Sequence, residues 1–597
     1  MGIIQHFKAF NSNNIMLATL DWVIIAAYLL LSFAIGLAVT KRAGKSLGHF
    51  FLGGRNLPWY LAGVSMVATT FAADTPLAVT ELVGQSGISG NWLWWNMLAG
   101  GMLTTFFFAN LWRRSGVLTE VELIELRYSG QPAAFLRGFK AVYLGIFMNA
   151  IIIAWVNVAL ISIFEVFFNL PKSDALLYTA LVMLLTAVYS SLSGLLGVAL
   201  TDAVQFIIAM VGCIILAILV AGSEKIGGIA GLKAQLPAEA FRFFPAVGAQ
   251  SAGASVLAVS AGAFFAHIGI QWWASWYPGA EPGGGGYVAQ RMMSAKNERH
   301  AVYATLFFQI AHYCIRPWPW IIVGLCAMVL YPNLPEADVK LGYIYAMRDF
   351  LPTGLKGMLV VAFLAAYMST IATQLNWGAS YVVNDLYRRF MAPQATDNQL
   401  VAAGRIVTLL LMALGLFVST QIDSIKNMWS FIIECGAGLG LVLILRWYWW
   451  RINAWSEIAA TIAPFIAYAA SKYVFQLTFP DSFFITVAFT TVVWLIVTFI
   501  TSPTDEKTLR HFYETVRPDG WWQPIAGKLY AGSDMPKSNL PGLTGAWLSS
   551  VLMTYAILFA LGKFLFLEYR QGAFWLVAAL AGFLLLRYSL QHTRIFR

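Results

Sequence analysis

Several polar side chains stand inside otherwise apolar stretches of this sequence, and their spacing limits the chemistry they can do. Asp74 lies in LAGVSMVATTFAADTPLAVTELVG, two residues before Pro76. A proline removes a backbone donor and disfavours helix at the residue before it, which frees carbonyls near Ala72 and Ala73. A carboxylate beside free carbonyls can hold a cation or a polar solute, or can simply hydrogen-bond a neighbouring helix. His267 and Gln271 lie one turn apart, as a polar wall or as a packed pair. Ala365, Ala366, Ser369, Thr370 and Thr373 recur at helical spacing. The alanines let another backbone approach closely, and the hydroxyls are hard, neutral ligands of the kind a monovalent cation accepts. The plain alternative is a packing face whose hydroxyls bond back to the preceding turn. Asp74, Asp202 and Glu434 are carboxylates within or near apolar runs, a set that could also relay protons.

The elements that must carry these residues are membrane spans. Of 597 residues, 59% are hydrophobic and 11% charged, against about 25% charged in soluble domains. A chain this poor in charge cannot cover a soluble surface but needs no charge where lipid touches it. About fifteen apolar runs are long enough to cross a bilayer. The formal charge of +10 is spread over short loops, which argues against a nucleic-acid partner. Lys41, Arg42, Lys45 and Arg55 follow the first run. Arg113, Arg114, Arg127, Arg137 and Lys140 follow the third, Arg291, Lys296 and Arg299 the seventh, and Arg388 and Arg389 the ninth. Arg446 and Arg451 follow the eleventh, and Lys507 to Lys537 the thirteenth. Only the junction after the fifth run, with Asp202, breaks the alternation. The positive-inside rule then puts the N-terminus outside and the C-terminus in the cytoplasm of a multi-pass plasma-membrane protein. Cys213, Cys314, Cys326 and Cys435 lie in apolar runs and read as packing residues. No Walker loop, dinucleotide fingerprint, metal-ligand spacing or G-x-S-x-G motif occurs, so an enzyme is not expected.

Two runs are interrupted. The second holds Asp74 and Pro76. The seventh, SAGAFFAHIGIQWWASWYPGAEPGGGGYVAQR, ends in Pro278, Pro282 and Gly283 to Gly286, where helix cannot continue at ordinary cost. Interrupted helices five apart point to an inverted-repeat carrier with its solute near mid-membrane. Runs two to six and seven to eleven would be the repeats, and the Gly283 to Gly286 segment would move with the inward gate. The polar stretch from Ser502 to Pro541 reads as a cytoplasmic loop on the membrane surface, with Trp521, Trp522 and Tyr530 at headgroup level.

Six stretches, in order, resemble the sodium:solute symporter family: LDWVIIAAYLLLSFAIGL, HFFLGGRNLPWYLAGVSMVATTFA, TEVELIELRY, AVYSSLSGLLGVALTDAVQ, VAQRMMSAKNE and FLAAYMSTIATQLNWGASYVVNDLYRRF. The match runs from about Leu20 to about Glu457. The resemblance implies an all-α leucine-transporter fold, with five-plus-five inverted repeats after one extra N-terminal helix and about four extra C-terminal helices. The expected division is 1–50 for the first span and loop, 51–222 and 223–450 for the repeats, and 451–501 for two peripheral spans. A cytoplasmic loop at 502–545 and the last spans at 546–597 complete it.

The resemblance further implies a sodium site built from the carbonyls of Ala68, Phe71 and Ala366 and the hydroxyls of Ser369 and Thr370. Asp202 matches a family aspartate of the ion pathway. Thr75 falls where sugar carriers bind substrate; with Asp74, His267 and Gln271 it forms the expected solute set. The expected function is sodium-coupled symport of a small organic solute by alternating access. Na+ is the coupling ion, no organic cofactor is called for, and the oligomeric state is left open. A proton-coupled carrier on the same fold and a solute-binding membrane sensor are the alternatives. WYPGAEPGGGGY is longer than the family's usual end to the seventh span.

Overall fold

The computed structural model describes residues 17–247, 258–422, 425–530 and 538–593. Helices dominate; a pair of two-residue parallel strands, Ala246–Val247 and Ala258–Val259, is the small exception. Among the described residues nine helices are long and apolar enough to cross a membrane, or ten if one bent pair counts as a span. Fifteen runs become fewer continuous spans for physical reasons. The fifth and sixth join in one element, Lys172–Ala221, across a kink at Gly194. The third, seventh, eleventh and twelfth are short or interrupted by breaks and π-helical turns.

Six helices position the candidate site: α1 (Trp59–Thr69), α2 (Asp74–Ser86), α3 (Lys172–Ala221), α4 (Gly286–Ser294), α5 (Pro317–Leu330) and α6 (Leu355–Tyr381). α1 and α2 are the halves of the second run, bent by 59°. The helix containing α6 is the most enclosed span, 94% buried over its apolar window, because Ala362, Ala365, Ala366, Ser369, Ala372 and Gly378 let neighbours approach its backbone. The first span is pinned to it by Asp21, whose carboxylate accepts 2.7 Å bonds from the amides of Gly354 and Gly357 at its start.

The seventh run does not end at its Gly/Pro segment. Helix stops after Ala274, the chain runs irregularly through Gly285, and helix resumes as α4, wholly buried. Arg291, read from the sequence as a loop residue, lies inside α4 and is fully buried. Other expected loop cations are buried too. Glu457 accepts from Lys140, from Arg446 at 3.2 Å and from the Tyr128 hydroxyl at 3.0 Å. Arg127 donates to the carbonyls of Arg446, Trp449 and Trp450. Counter-charges and carbonyls at the bundle's end hold these cations, so not every loop cation reports on the side of the membrane.

The stretch after the thirteenth run also differs from expectation. Glu506–Val516 and Gln523–Leu529 are helices docked on the bundle. Trp522 is 2% exposed: it stacks on Phe512, lies under the Arg127 guanidinium and donates to the Trp447 carbonyl at 2.8 Å. Trp521 is 60% exposed and remains free for an interface role. Lys537 lies outside the described residues. The four cysteines are buried and unbridged.

Candidate functional site

The break between α1 and α2 spans Thr70 to Ala73. Pro76 sits in the first turn of α2, where a missing N–H costs little, so the proline starts the second half rather than interrupting it. Several carbonyls at the break acquire partners. Val67 accepts from Arg316 Nη1 (3.2 Å) and from Thr70 Oγ1 (2.9 Å), and Ala68 from the Phe71 amide (3.0 Å). The Thr370 hydroxyl contacts both the Thr69 carbonyl (2.8 Å) and the Ala366 carbonyl (3.2 Å). Among the described residues no hydrogen bond is made to the Phe71 carbonyl. Ala68, Phe71, Ala366, Ser369 and Thr370 are all buried at this junction of α1 and α6.

Behind the junction lies a closed polar network. Ser369 donates to Asp202 Oδ1 (2.6 Å) and Ser65 to Asp202 Oδ2 (2.5 Å). Arg291 stands 3.7 Å from the same carboxylate and donates to Ser65 (3.1 Å), Thr373 (2.6 Å) and Gln290 (2.9 Å). Asp202 is therefore not a junction residue: the kink is at Gly194, and Asp202 lies two turns further along α3, fully buried. One carboxylate and one guanidinium leave the network formally neutral, so a cation bound beside it meets no net opposing charge.

A cavity of about 100 Å³ opens at the break. Asp74, Thr75, Thr370, Gln374, His312 and Arg316 supply its polar wall; Trp94, Trp155, Tyr277, Tyr287, Tyr313 and Trp429 supply aromatic faces. A second cavity of about 250 Å³ holds His267, Gln271, Glu81, Lys340 and Glu434. Ala78, Leu82 and Trp429 line both. The structure thus divides the expected solute residues: Asp74 and Thr75 belong to the inner chamber, His267 and Gln271 to the other. His267 Nδ1 and Gln271 Oε1 share a 2.7 Å hydrogen bond, and Gln271 donates to the Leu93 carbonyl. Glu434 accepts from Ser482 (2.9 Å) and faces Lys472 at 3.6 Å, away from the Asp202 network.

A model of the sodium:solute symporter family matches residues 50–463. The chain belongs to the sodium:solute symporter family. It is similar to the sodium/glucose cotransporter of Vibrio parahaemolyticus, 24% identical over 524 residues, 82% of this chain and 92% of that one. It is also similar to the sodium/mannose cotransporter of Bos taurus, 24% identical over 67% of this chain and 68% of the relative. The human sodium/myo-inositol cotransporter 2 is 22% identical over 72% and 66% of the two chains. A solved Na+-coupled sialic acid symporter, substrate-bound and outward-open, superposes with a TM-score of 0.64 at 19% identity, over 82% of this chain and 99% of that one. That likeness shows the fold, the leucine-transporter fold expected from the sequence. As a member of this family the chain is a multi-pass membrane symporter with sodium as its coupling ion, and not an enzyme.

Two central residues of this symporter were missed by sequence reasoning. Arg291 reads as a loop cation because it sits near Lys296 and Arg299. Arg316 lies in AHYCIRPWPWIIVGLC, and an arginine within an apolar run carries the same anomaly that drew attention to Asp74. The π-helical turn Ala311–Ile315 and the following prolines aim it at the break.

Proposed function

We propose that this symporter carries a small organic solute across the plasma membrane with sodium, by alternating access between states in which the α1–α2 break faces one side or the other. In this reading sodium is held by the carbonyls of Ala68, Phe71 and Ala366 and the hydroxyls of Ser369 and Thr370, with Asp202 as the next stop on its path. The solute occupies the cavity beside Asp74 and Thr75, reached past His267 and Gln271. The N-terminus lies outside and the C-terminus in the cytoplasm. Residues 51–222 and 223–450 are the two repeats, and no organic cofactor takes part.

The observation that carries the reading is the position of Thr370. It belongs to the proposed ion ligands, bonds the Thr69 carbonyl at the end of α1, and lines the solute cavity. An ion that pulls Thr370 and the α1 carbonyls together shapes the solute wall in the same movement, which is the differential contact that coupling requires. Each sodium crossing 100 mV brings about 2.3 kcal/mol to the transport cycle.

The test is radiolabelled uptake into proteoliposomes with and without an inward sodium gradient, beside the double change Ser369→Ala and Thr370→Ala. Sodium-driven uptake that disappears in the double variant supports the ion site. Uptake driven by a pH gradient and indifferent to both changes would move the ion-coupling role to protons.

A further inference from the structure

The inner cavity carries two buried ionisable side chains of opposite sign that do not pair with each other. Arg316 is 1% exposed, yet its hydrogen bonds come from one terminal nitrogen alone, to the Val67 carbonyl and the Thr70 hydroxyl. Its Nε is buried without a partner, and among the described residues no carboxylate lies within 4.0 Å of the guanidinium. The Phe71 and Trp320 rings lie 5.9 and 5.2 Å from it, which fixes its plane without neutralising it. Asp74, 2% exposed, opens α2; its Oδ1 is buried without a partner, and no cation lies within ion-pair distance among the described residues. Both side chains line the same cavity.

An unpaired buried charge is costly, and two ionisable groups of opposite sign on one wall are best held charged by a ligand that meets both. A neutral polyol offers hydroxyls to both but neutralises neither. A solute with only an anionic or only a cationic group satisfies one and leaves the other. We infer that the inner cavity takes a small zwitterion, its carboxylate facing Arg316 and its cationic group facing Asp74.

The planar guanidinium matches a carboxylate in two parallel hydrogen bonds. The Tyr277 and Trp429 rings, 6.0 Å apart in the same lining, offer faces to a cationic centre. The inference rests on the reading that this cavity is the solute site, and it departs from the sugars and polyols named in the relatives.

The experiment uses the full-length protein in detergent and in proteoliposomes. Melting shifts and sodium-driven uptake are measured with the twenty amino acids and glycine betaine, with acetate and choline as single-charge probes, and with D-glucose and myo-inositol as neutral ones. At least one zwitterion is expected to bind, and its methyl ester, which lacks the carboxylate charge, to bind at least about 100-fold more weakly, because the site's donors are then left unpaired. Arg316→Gln and Asp74→Asn are each expected to weaken the zwitterion by a similar factor. The ester comparison on the unaltered protein holds even if a variant fails to fold.

Binding of a neutral sugar that is indifferent to Arg316→Gln, or no binding by any zwitterion, overturns the inference. The two readings fail separately. A sugar driven by sodium rejects the zwitterion and keeps the coupling; a zwitterion bound through Arg316 with no sodium effect keeps the zwitterion and rejects the coupling.

Discussion

The Ser369 hydroxyl donates a 2.6 Å hydrogen bond to one oxygen of the Asp202 carboxylate, joining α6 to α3 behind the helix break. Ser65 holds the other oxygen, and Arg291 stands behind both. Asp202→Asn leaves Arg291 buried without its counter-charge, a change that costs about 3–5 kcal/mol when a buried pair is broken. The variant is expected to melt lower and to need more sodium for half-maximal uptake. Equal melting and unchanged sodium dependence would remove Asp202 from the ion path.

Trp522 fastens the segment after the thirteenth run to the bundle. Trp522→Ala removes its stack on Phe512, its place under Arg127 and its bond to the Trp447 carbonyl. Loss of about 3–5 kcal/mol is expected for a buried tryptophan, against less than about 0.5 kcal/mol for exposed Trp521→Ala. Thermal melts of the two variants side by side check the contrast.

The kink in α3 depends on a residue without a side chain. Gly194 has φ +55°, and a Cβ there would meet the Phe50 carbonyl oxygen at 2.5 Å. Gly194→Ala is expected to cost about 2 kcal/mol or more, from the left-handed backbone and the contact together. Gly527→Ala, where nothing lies within 4 Å, is expected to leave melting unchanged or slightly raised. Folded yield and melting temperature report both.

Glu125 offers a pH test outside the spans. Burial alone would raise its carboxyl, but Arg389 and Arg137 outweigh burial and hold it below its ordinary value. A carboxylate with a depressed folded value adds stability above its unfolded value of about 4.5, lost as pH falls through the folded one. Glu125→Gln is therefore expected to melt below the unaltered protein at pH 7. The gap should close as the pH is lowered past the ordinary carboxylate range. A gap that stays constant with pH would show that charge is not what Glu125 contributes.

The Gly283 to Gly286 segment tests the gate. Gly284 has φ +74°, and a Cβ there would crowd Met292, Trp112 and Thr104. Exchanging Gly284 and Gly285 for alanine is expected to slow uptake about tenfold if roughly 1–2 kcal/mol of backbone strain falls on the moving state. Unchanged uptake would detach this segment from the gate.

Much of the fold was legible because the bilayer leaves few options: apolar length marks spans, and proline or glycine inside a span marks a break. Asp74 and Pro76 located the bend between α1 and α2 to within a few residues. The small-residue face of Ala365, Ala366 and Ser369 marked the most enclosed helix. What failed was the reading of charge. Arg291, Arg127 and Arg446 look like loop cations in one dimension, and only tertiary contacts place carbonyls and carboxylates around them. The division of Asp74 and Thr75 from His267 and Gln271 was likewise invisible, because it depends on where Trp429, more than 150 residues away, comes to rest.

Trp429, Ala78 and Leu82 are a party wall between two rooms. In the proposed reading, where solute reaches the smaller room past His267 and Gln271, a solute crowding the larger room leans on the indole that both rooms share. Throughput should then climb with outside concentration, crest, and sag as the waiting room fills, a self-jamming turnstile built from one tryptophan.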